Sequence, residues 1–540
     1  MGQADGEMGH SGPERRLSRR KRLFGRMLTS LVFATGSFAL IALALWAAFP
    51  LPSLDGRRSS QAIADPTTII AAAIAPVSAR HPGQSGIYLL PDALDAFAAR
   101  VEMIRVAERS VDLQYYIWNN DLSGRLLLAE LVGAADRGVR VRLLIDDNTT
   151  AGLDPMLAGA SAHPNIEVRL FNPLTLRRVR AANYLFAFPR LNRRMHNKSL
   201  TIDGAVTIVG GRNVGDEYFG AEQDGLFIDM DALAIGAVLP EVSAQFDLYW
   251  NSRSAYPAEL LIAADTAKPM PILRNPPESD SERGRQYRAA IAATAFIRDA
   301  MAQTLNWQWT DVRLFSDDPA KALGAEPPES LLINRLKPVI ADAQDSFDLV
   351  SGYFVPAGAG TDLLTGLARR QVDTLVVTNS FAVTDVPLVH AGYVKKRAPL
   401  LEAGVRLFEV RPGPKGQAED VPHNATRFSG GGESLHAKTF VIDRQLLFVG
   451  SFNFDPRSAE LNCEMGFLID SPYLSGLVAD GLRERLPDHS YAVTLSPEGE
   501  MQWGVSANGR QGTLTTEPGT TAWNRTAVWL LSHLPIDWLL

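Results

Sequence analysis

Two copies of one short motif carry the residues best suited to chemistry in this 540-residue chain. In each copy a His is followed two residues later by a Lys and five residues after that by an Asp. The copies are His196, Lys198 and Asp203, and then His436, Lys438 and Asp443. An imidazole can attack phosphorus or protonate a departing oxygen, and an ammonium group neutralises a phosphate. The two motifs therefore predict one composite site for a phosphate ester.

The two copies also keep equal offsets beyond the motifs. Asn213 and Asn453 stand at the same distance from their histidines, and a gap-free alignment sets Asp224 against Glu464. The amides would donate hydrogen bonds to a phosphate, and the two acids would orient the imidazoles through the second ring nitrogen. The Asp of each motif is expected to support its strand. One such motif arises by chance in some chains, whereas two aligned copies predict a functional pair.

A metal site is the alternative explanation for histidines near carboxylates. A Lys beside each His is a poor neighbour for a cation, and no Cys/His cluster accompanies the motifs. We therefore expect no metal and no cofactor. The single cysteine, Cys463, permits no intrachain disulfide and is expected to be a small packing residue.

Alternating strand and helix patterns precede each motif, and they predict two α/β domains that arose by duplication, each with a buried sheet flanked by helices. Strands are expected at 110–118, 139–145, 166–171, 346–354, 372–378 and 405–410, and helices at 91–109, 122–137 and 363–370. The predicted organisation is a basic leader (1–26), a transmembrane anchor (27–50), a tether (51–85), a first domain (86–260), a linker (261–330), a second domain (331–515) and a Trp/Leu-rich tail (516–540).

The N-terminal segment predicts a membrane anchor. Seven Lys/Arg residues between 15 and 26 precede an uncharged run from Met27 to Leu54, which is densely apolar as far as Phe49. About 20 apolar residues span a bilayer as a helix, and the basic flank favours a cytoplasmic N-terminus. A cleaved signal peptide is the alternative, but the run exceeds the usual core of roughly 7–15 residues. We expect an uncleaved inner-membrane anchor with the catalytic domains on the periplasmic side.

Several longer stretches resemble the phospholipase D superfamily, and in particular bacterial cardiolipin synthases of the C type. They are the paired motifs together with Asp112–Trp118, Arg193–Lys198, Val389–Tyr393 and Ser451–Ser458, and the similarity covers roughly His81 to Leu540. The resemblance implies transfer of a phosphatidyl group to phosphatidylglycerol without a metal. It also implies His196 as nucleophile and His436 as acid/base. Phosphatidylethanolamine remains open as a donor, as does a helper protein.

Five further residues are candidates for lipid binding. Arg193 and Arg194 end a basic and aromatic stretch that begins at Arg177, which suits an anionic lipid surface, although a solvated loop explains it equally well. His390 and Tyr393 lie one helical turn apart and could line an acceptor pocket, but a packed helix face is the favoured explanation. Ser451, two residues before Asn453, is the fifth.

Three alternatives to a synthase remain. A hydrolase of the same class differs only in letting water compete with a lipid alcohol, which the sequence cannot distinguish. A nuclease is disfavoured because residues 61–540 hold 44 basic and 56 acidic residues, a poor electrostatic match for nucleic acid. A catalytically silent membrane scaffold is disfavoured because both sets of His, Lys and Asn are intact. We therefore expect phospholipids and the membrane as partners, and no nucleic acid.

Overall fold

The computed structural model describes residues 13–221, 226–384, 386–412, 434–507 and 510–534. The chain divides into two compact units. One comprises Met1–Ser53 and Leu174–Pro189, and the other comprises Leu54–Pro173 and Arg190–Leu540. Both motif copies belong to the second unit.

The first unit is dominated by one long helix, α1 (Pro13–Ala48). Its stretch Arg26–Ala48 has a mean hydropathy of 2.1 and is unburied, and it is the one helix in the described ranges that is long and apolar enough to cross a membrane. Leu- and Ala-rich sequence favours a helix, and 23 residues reach about 35 Å at 1.5 Å per residue, enough for a bilayer core. The expected N-terminal apolar helix is present.

The second unit starts with an α/β half. Its helices are α2 (Ile69–Ser78), α3 (Ala93–Val106), α4 (Leu122–Asp136), α5 (Asp154–Ser161), α6 (Asn183–Leu191, whose first residues belong to the first unit), α7 (Asp216–Phe219) and α8 (Leu239–Trp250). Its strands are β1 (Ser85–Leu90), β2 (Ser110–Tyr115), β3 (Arg140–Asp146), β4 (Ile166–Phe171), β5 (Ser199–Ile202), β6 (Val206–Gly210), β7 (Phe227–Ile228), β8 (Asp231–Gly236) and β9 (Ala255–Pro257).

The second half repeats the pattern after three connecting helices. Helices α9 (Met270–Arg274), α10 (Glu282–Ala292) and α11 (Ala295–Met301) are followed by α12 (Leu332–Ala341), α13 (Gly358–Arg369), α14 (Pro387–Val394), α15 (Arg397–Glu402), α16 (Pro456–Glu460), α17 (Pro472–His489) and α18 (Ala522–Ser532). The strands are β10 (Gln308–Ser316), β11 (Ser346–Ser351), β12 (Asp373–Asn379), β13 (Arg406–Val410), β14 (Ser434–Leu435), β15 (Lys438–Ile442), β16 (Leu446–Gly450), β17 (Met465–Asp470), β18 (Ser490–Leu495), β19 (Met501–Ala507) and β20 (Arg510–Leu514).

Both halves share one 18-stranded mixed sheet. In the first half β2, β3 and β4 run parallel, and the antiparallel strands β5, β6, β8 and β1 continue from β2. The second half repeats this with β11, β12, β13, β15, β16, β17 and β10. Antiparallel pairing of β1 with β10 joins the two halves at the centre, and the order of strands confirms two related α/β domains.

A shared hydrophobic core lies along this central join. It combines apolar side chains of both halves, among them Ile87, Val209, Ala232, Leu447, Val449 and Phe467. Burying apolar surface from both halves in one cluster stabilises their association, so the two motif copies are held in a fixed relation.

Two of the expected connecting segments are built into the fold. Arg57, within the expected tether, donates to the carbonyls of Asn251, Ser252 and Ala255, and the tether also contains α2. Strand β10 lies within the expected linker, yet it occupies the centre of the shared sheet. Both segments lack clear sequence periodicity because their order comes from contacts with distant strands and helices.

Candidate active site

Each motif histidine lies two or three residues before a strand of its own half and is held by the other half. The His196 amide donates to the Cys463 carbonyl at 2.8 Å, and the His436 amide donates to the Ile228 carbonyl at 2.8 Å. A parallel pairing of β7 with β14 and a single bridge between Met195 and Cys463 make these connections. The two motifs therefore converge from opposite halves of the sheet.

His196 is fixed through its Nδ1 atom. Nδ1 lies 2.8 Å from Glu464 Oε2 and 3.0 Å from the Ser451 carbonyl, so the Nδ1–H donates to acceptors of the second half. The ring of Tyr116 packs edge-on against the imidazole with its centroid 5.0 Å away. With Nδ1 protonated, a neutral His196 has its lone pair on Nε2.

His436 is fixed in the same way by a residue of the first half. Its Nδ1 lies 2.6 Å from Asp229 Oδ2, and both side chains are buried. The rings of Tyr218, Phe227 and Tyr353 surround the imidazole at centroid distances of 5.2, 5.1 and 6.1 Å. Here too the Nδ1 hydrogen bond leaves Nε2 for chemistry.

Asp229 was not identified in the sequence, where a gap-free alignment assigned its place to Asp224. Strand pairing sets Asp231 opposite Gly210 in the first half and Gly466 opposite Gly450 in the second. Asp229 is therefore the equivalent of Glu464, and the gap-free alignment is wrong beyond Asn213 by five residues. Asp224 itself lies outside the described residues. Aligning Asp229-Met230 with Glu464-Met465 across a gap would have found it.

The two lysines are buried beside the imidazoles. Lys198 Nζ donates to the His196 carbonyl at 2.6 Å. Lys438 Nζ lies over the His436 ring, 2.8 Å from Nδ1 and 3.2 Å from Nε2. Burial, together with the charges of Lys198 and Lys438, holds the pKa of His196 well below its usual range. Burial and Lys438 lower the pKa of His436 to about 4, with a smaller effect from Lys198. Each lysine thus acts on both histidines, which places all four groups in one electrostatic site.

The two carboxylates differ in charge state. Burial would raise the pKa of Asp229, but Lys438 and the hydrogen bond from His436 outweigh it and lower that pKa. Burial raises the pKa of Glu464 to about 7, despite Lys198 and the Ser451 hydroxyl, which donates to Oε2 at 2.5 Å. A full negative charge therefore faces His436, and a partly protonated acid faces His196.

Ser451 and the two asparagines occupy different surroundings from those expected. Ser451 is buried, and its hydroxyl is engaged by Glu464 and the Met465 amide, which argues against direct lipid binding. Asn213 accepts from the Ile117 amide at 3.1 Å and donates to the Tyr218 hydroxyl at 2.9 Å. The buried Asn453 Oδ1 has no partner, so of the two amides Asn453 is the better placed to respond to a ligand.

The motif aspartates bind backbone amides. Asp203 accepts from the amides of residues 108, 109 and 110 at 2.8–3.0 Å, and Asp443 accepts from those of residues 344, 345 and 346 at 2.7–3.1 Å. Both aspartates have positive φ, 53° and 52°, in the turn after the motif strand. Their contacts hold the segment before β2 or β11, which supports a structural role for both aspartates.

The two arginines before the first motif have different environments. Arg194 is buried, and its guanidinium binds the Asp146 carboxylate at 2.6 and 2.9 Å and the Asn172 carbonyl at 3.0 Å. It is therefore a structural ion pair, and its assignment to lipid binding is corrected. Arg193 is partly exposed and donates to the Glu460 carbonyl at 3.2 Å, so it remains a candidate.

His390 and Tyr393 belong to a buried polar cluster on α14. His390 Nε2 lies 2.7 Å from Glu517 Oε1, and the Tyr393 hydroxyl donates to Glu409 at 3.0 Å. Arg397 joins both carboxylates, and with His390 it holds the pKa of Glu517 at about 2 against the effect of burial. This is the packed helix face favoured by the sequence, and it ties the C-terminal segment to the second half.

Comparison with known proteins decides the family. Residues 101–250 and 336–485 both match the family model described as cardiolipin synthase, PLD-like domain. The chain is 43% identical over 472 residues to cardiolipin synthase C of Escherichia coli (strain K12), covering 87% of this chain and 99% of the relative. The chain belongs to the phospholipase D superfamily, in its cardiolipin synthase family. As a member it is a phosphatidyltransferase. The family resemblance inferred from the sequence is confirmed.

Two further comparisons extend the similarity to a second bacterial chain and to a solved structure. An uncharacterized protein of Helicobacter pylori (strain ATCC 700392 / 26695) is 33% identical over 435 residues, covering 78% of this chain and 83% of its own. The crystal structure of a phosphatidylserine synthase from Haemophilus influenzae Rd KW20 has a TM-score of 0.52 at 15% identity, covering 79% of this chain and 93% of that one. At this identity the likeness shows a shared fold.

Proposed function

We propose that this member of the cardiolipin synthase family transfers a phosphatidyl group to phosphatidylglycerol and forms cardiolipin through a phosphohistidine. The observation that carries the proposal is the crossed pairing of the site, in which each half supplies the carboxylate that orients the other half's histidine. Two imidazoles with reactive Nε2 atoms and two buried lysines suit an in-line exchange at phosphorus. The cardiolipin synthase relative supports the choice of lipid.

In the first step, His196 Nε2 attacks the phosphorus of the donor lipid. The bond from phosphorus to the headgroup oxygen breaks, and His436 Nε2–H gives its proton to that oxygen. A bound phosphodiester offsets the positive charges of Lys198 and Lys438, so the pKa of His436 rises from its low value in the empty site and the imidazolium becomes accessible. The product is a phosphatidyl group on His196 and a free headgroup alcohol.

In the second step, neutral His436 accepts the proton of the phosphatidylglycerol hydroxyl. The resulting oxygen attacks phosphorus, the phosphorus–nitrogen bond breaks, and cardiolipin leaves His196 neutral again. The unlike carboxylates support this division of roles. The ionised Asp229 stabilises an imidazolium at His436, whereas the partly protonated Glu464 favours a neutral, nucleophilic His196.

A lipid assay tests the function directly. Mixed micelles with phosphatidylglycerol, with and without phosphatidylethanolamine, are incubated with wild type, His196→Ala and His436→Ala. We expect cardiolipin from wild type alone, and the released glycerol or ethanolamine identifies the donor. Trapped phosphoenzyme in wild type and its absence in His196→Ala would support the assigned nucleophile. Phosphatidic acid without cardiolipin would instead indicate a hydrolase, and no lipid turnover would reject the proposal.

We further propose that α1 anchors the protein in the inner membrane with its N-terminus in the cytoplasm and the catalytic domains in the periplasm. The basic residues before Met27 support this orientation. The sole cysteine, Cys463, is buried, so maleimide labelling reports on a cysteine introduced at the surface. In intact spheroplasts, an impermeant maleimide should label Leu323→Cys and leave wild type unlabelled. Labelling of Leu323→Cys only after lysis would reverse the orientation.

A further inference from the structure

Residues 174–189 share a compact unit with the membrane-length helix, although they lie far from it in sequence. The Thr175 hydroxyl donates to the Phe49 carbonyl at 3.1 Å. Phe49 is the residue after the apolar stretch Arg26–Ala48, so it marks one end of the membrane span. If α1 spans a bilayer, this hydrogen bond sets Thr175 at the depth of the lipid headgroups.

The segment from Thr175 onwards contains a turn held by side-chain hydrogen bonds. Asn183 is fully buried, and its Oδ1 accepts from the Leu176 amide at 3.0 Å. Its Nδ2 donates to the carbonyls of Leu176 and Arg180 at 3.0 and 2.8 Å, which closes the turn before α6. Asn183 thus holds the turn at the start of α6, and six residues separate Pro189 from His196 in the chain.

The outer surface of this segment is apolar and basic. Val179, Leu185 and Phe188 are 62%, 48% and 36% exposed, and Arg178 is exposed beside them. Residues 174–189 contain three arginines and no acidic residue, although the chain as a whole has a net charge of −7. Exposed apolar side chains interspersed with arginines suit the headgroup layer of an anionic bilayer, where each group meets its preferred surroundings.

We propose that residues 174–189 form an interfacial platform that inserts Leu185 and Phe188 into the headgroup layer beside the end of α1 and attracts anionic phospholipid through Arg178. The inference deepens the proposed function and rests on it for the membrane span. The platform concentrates anionic phosphatidyl lipids at the start of the chain segment that leads to His196. The bond to the end of the apolar helix favours a bilayer as the occupant over another protein.

The insertion is tested with a single reporter that does not need turnover. Leu185→Cys, in full-length protein reconstituted into phosphatidylcholine vesicles containing phosphatidylglycerol, is labelled with an environment-sensitive fluorophore, and the buried Cys463 leaves little background. Leu323→Cys is the matched control, since Leu323 is 47% exposed. We expect lipid-borne nitroxide to quench the reporter at 185 and aqueous iodide to quench the one at 323. Iodide quenching at both sites would overturn the platform, as would protection at 185 without nitroxide quenching.

The preference for anionic lipid is tested by charge. Cardiolipin formation is measured against the mole fraction of phosphatidylglycerol for wild type, Arg178→Glu, Arg178→Lys and the remote control Arg298→Glu. We expect Arg178→Glu to raise the half-saturating mole fraction about five-fold or more, with the maximal rate retained and the two other variants like wild type. Equal curves for all four would overturn the role of Arg178. Failure of cardiolipin formation in wild type would reject the proposed function and leave the fluorescence result standing.

Discussion

Replacing Asp229 with asparagine removes the carboxylate that accepts from His436 Nδ1 at 2.6 Å. The asparagine is nearly the same size, and its carbonyl oxygen can still accept from the Met230 amide, which donates to Asp229 Oδ1 at 2.8 Å. The substitution therefore changes charge and hydrogen-bond type with little change in packing. It isolates the effect of Asp229 on the imidazole.

The magnitude follows from burial and from tautomer control. A hydrogen bond to a charged group contributes about 1.5–3 kcal/mol, which is about 10- to 150-fold in rate if it acts only in the transition state. The asparagine amide can also donate to His436 Nδ1, which stabilises the tautomer with its proton on Nε2. In that tautomer Nε2 cannot take the proton of the phosphatidylglycerol hydroxyl. In a serine protease the equivalent change costs about 10⁴-fold. We expect cardiolipin formation by Asp229→Asn to fall by roughly 10²- to 10⁴-fold.

The assay is the initial rate of cardiolipin formation per folded protein, with thermal unfolding as the check on folding. Asp224→Asn is the matched control, because the gap-free alignment would give Asp224 the same role. We expect Asp224→Asn to keep the wild-type rate. A rate for Asp229→Asn within about three-fold of wild type, which is less than 1 kcal/mol, would refute the pairing of His436 with Asp229. Equal losses in the two variants would refute it as well.

Four further variants test other parts of the structure. Asp203→Ala and Asp443→Ala each leave three backbone amides without an acceptor, so thermal or denaturant unfolding should show a loss of roughly 2–4 kcal/mol in either variant. Glu517→Gln removes a carboxyl whose pKa is held at about 2, below its unfolded value of 4.5, so it should destabilise the protein by roughly 3 kcal/mol at pH 7, a difference that fades as the pH falls from 4.5 towards 2. The KM for phosphatidylglycerol should be unchanged, and an increase would restore the acceptor-pocket role of His390. Glu464→Gln removes a carboxyl whose folded pKa, about 7, lies above its unfolded value of 4.5, so ionising it costs stability as the pH rises through that window. Between pH 4.5 and pH 7.5, the free energy of unfolding of Glu464→Gln should rise relative to that of wild type by as much as about 3 kcal/mol. The same pH dependence in both proteins would contradict the raised pKa.

Most secondary structure before the motifs follows from local pattern. The expected strand at 166–171 has the observed bounds, and the helix expected at 122–137 ends at Asp136, two residues before Gly138, whose φ is 96°. Hydrophobic spacing and a glycine after a helix are local signals, so the sequence carries them directly. Strand β10 carried no such signal, because its place between β1 and β17 depends on partners about 150 residues away or more.

The residues of the two motifs were recognisable because chemistry requires particular side chains, and their repetition made chance an unsatisfactory explanation. Their partners could not be assigned by the same means. Asp229 and Arg194 show why: a carboxylate or guanidinium has the same sequence letter whether it serves an imidazole, a lipid or a buried ion pair. Only the distance to another charged group distinguishes these uses.

Sequence alone therefore determined the composite His/Lys site, the duplicated α/β architecture and the apolar N-terminal helix. Tertiary structure decided the crossed pairing, in which Glu464 orients His196 and Asp229 orients His436. The physical reason is that catalytic types and periodicity are properties of short stretches, whereas a hydrogen bond between residues more than 200 positions apart depends on how the whole sheet brings its two halves together.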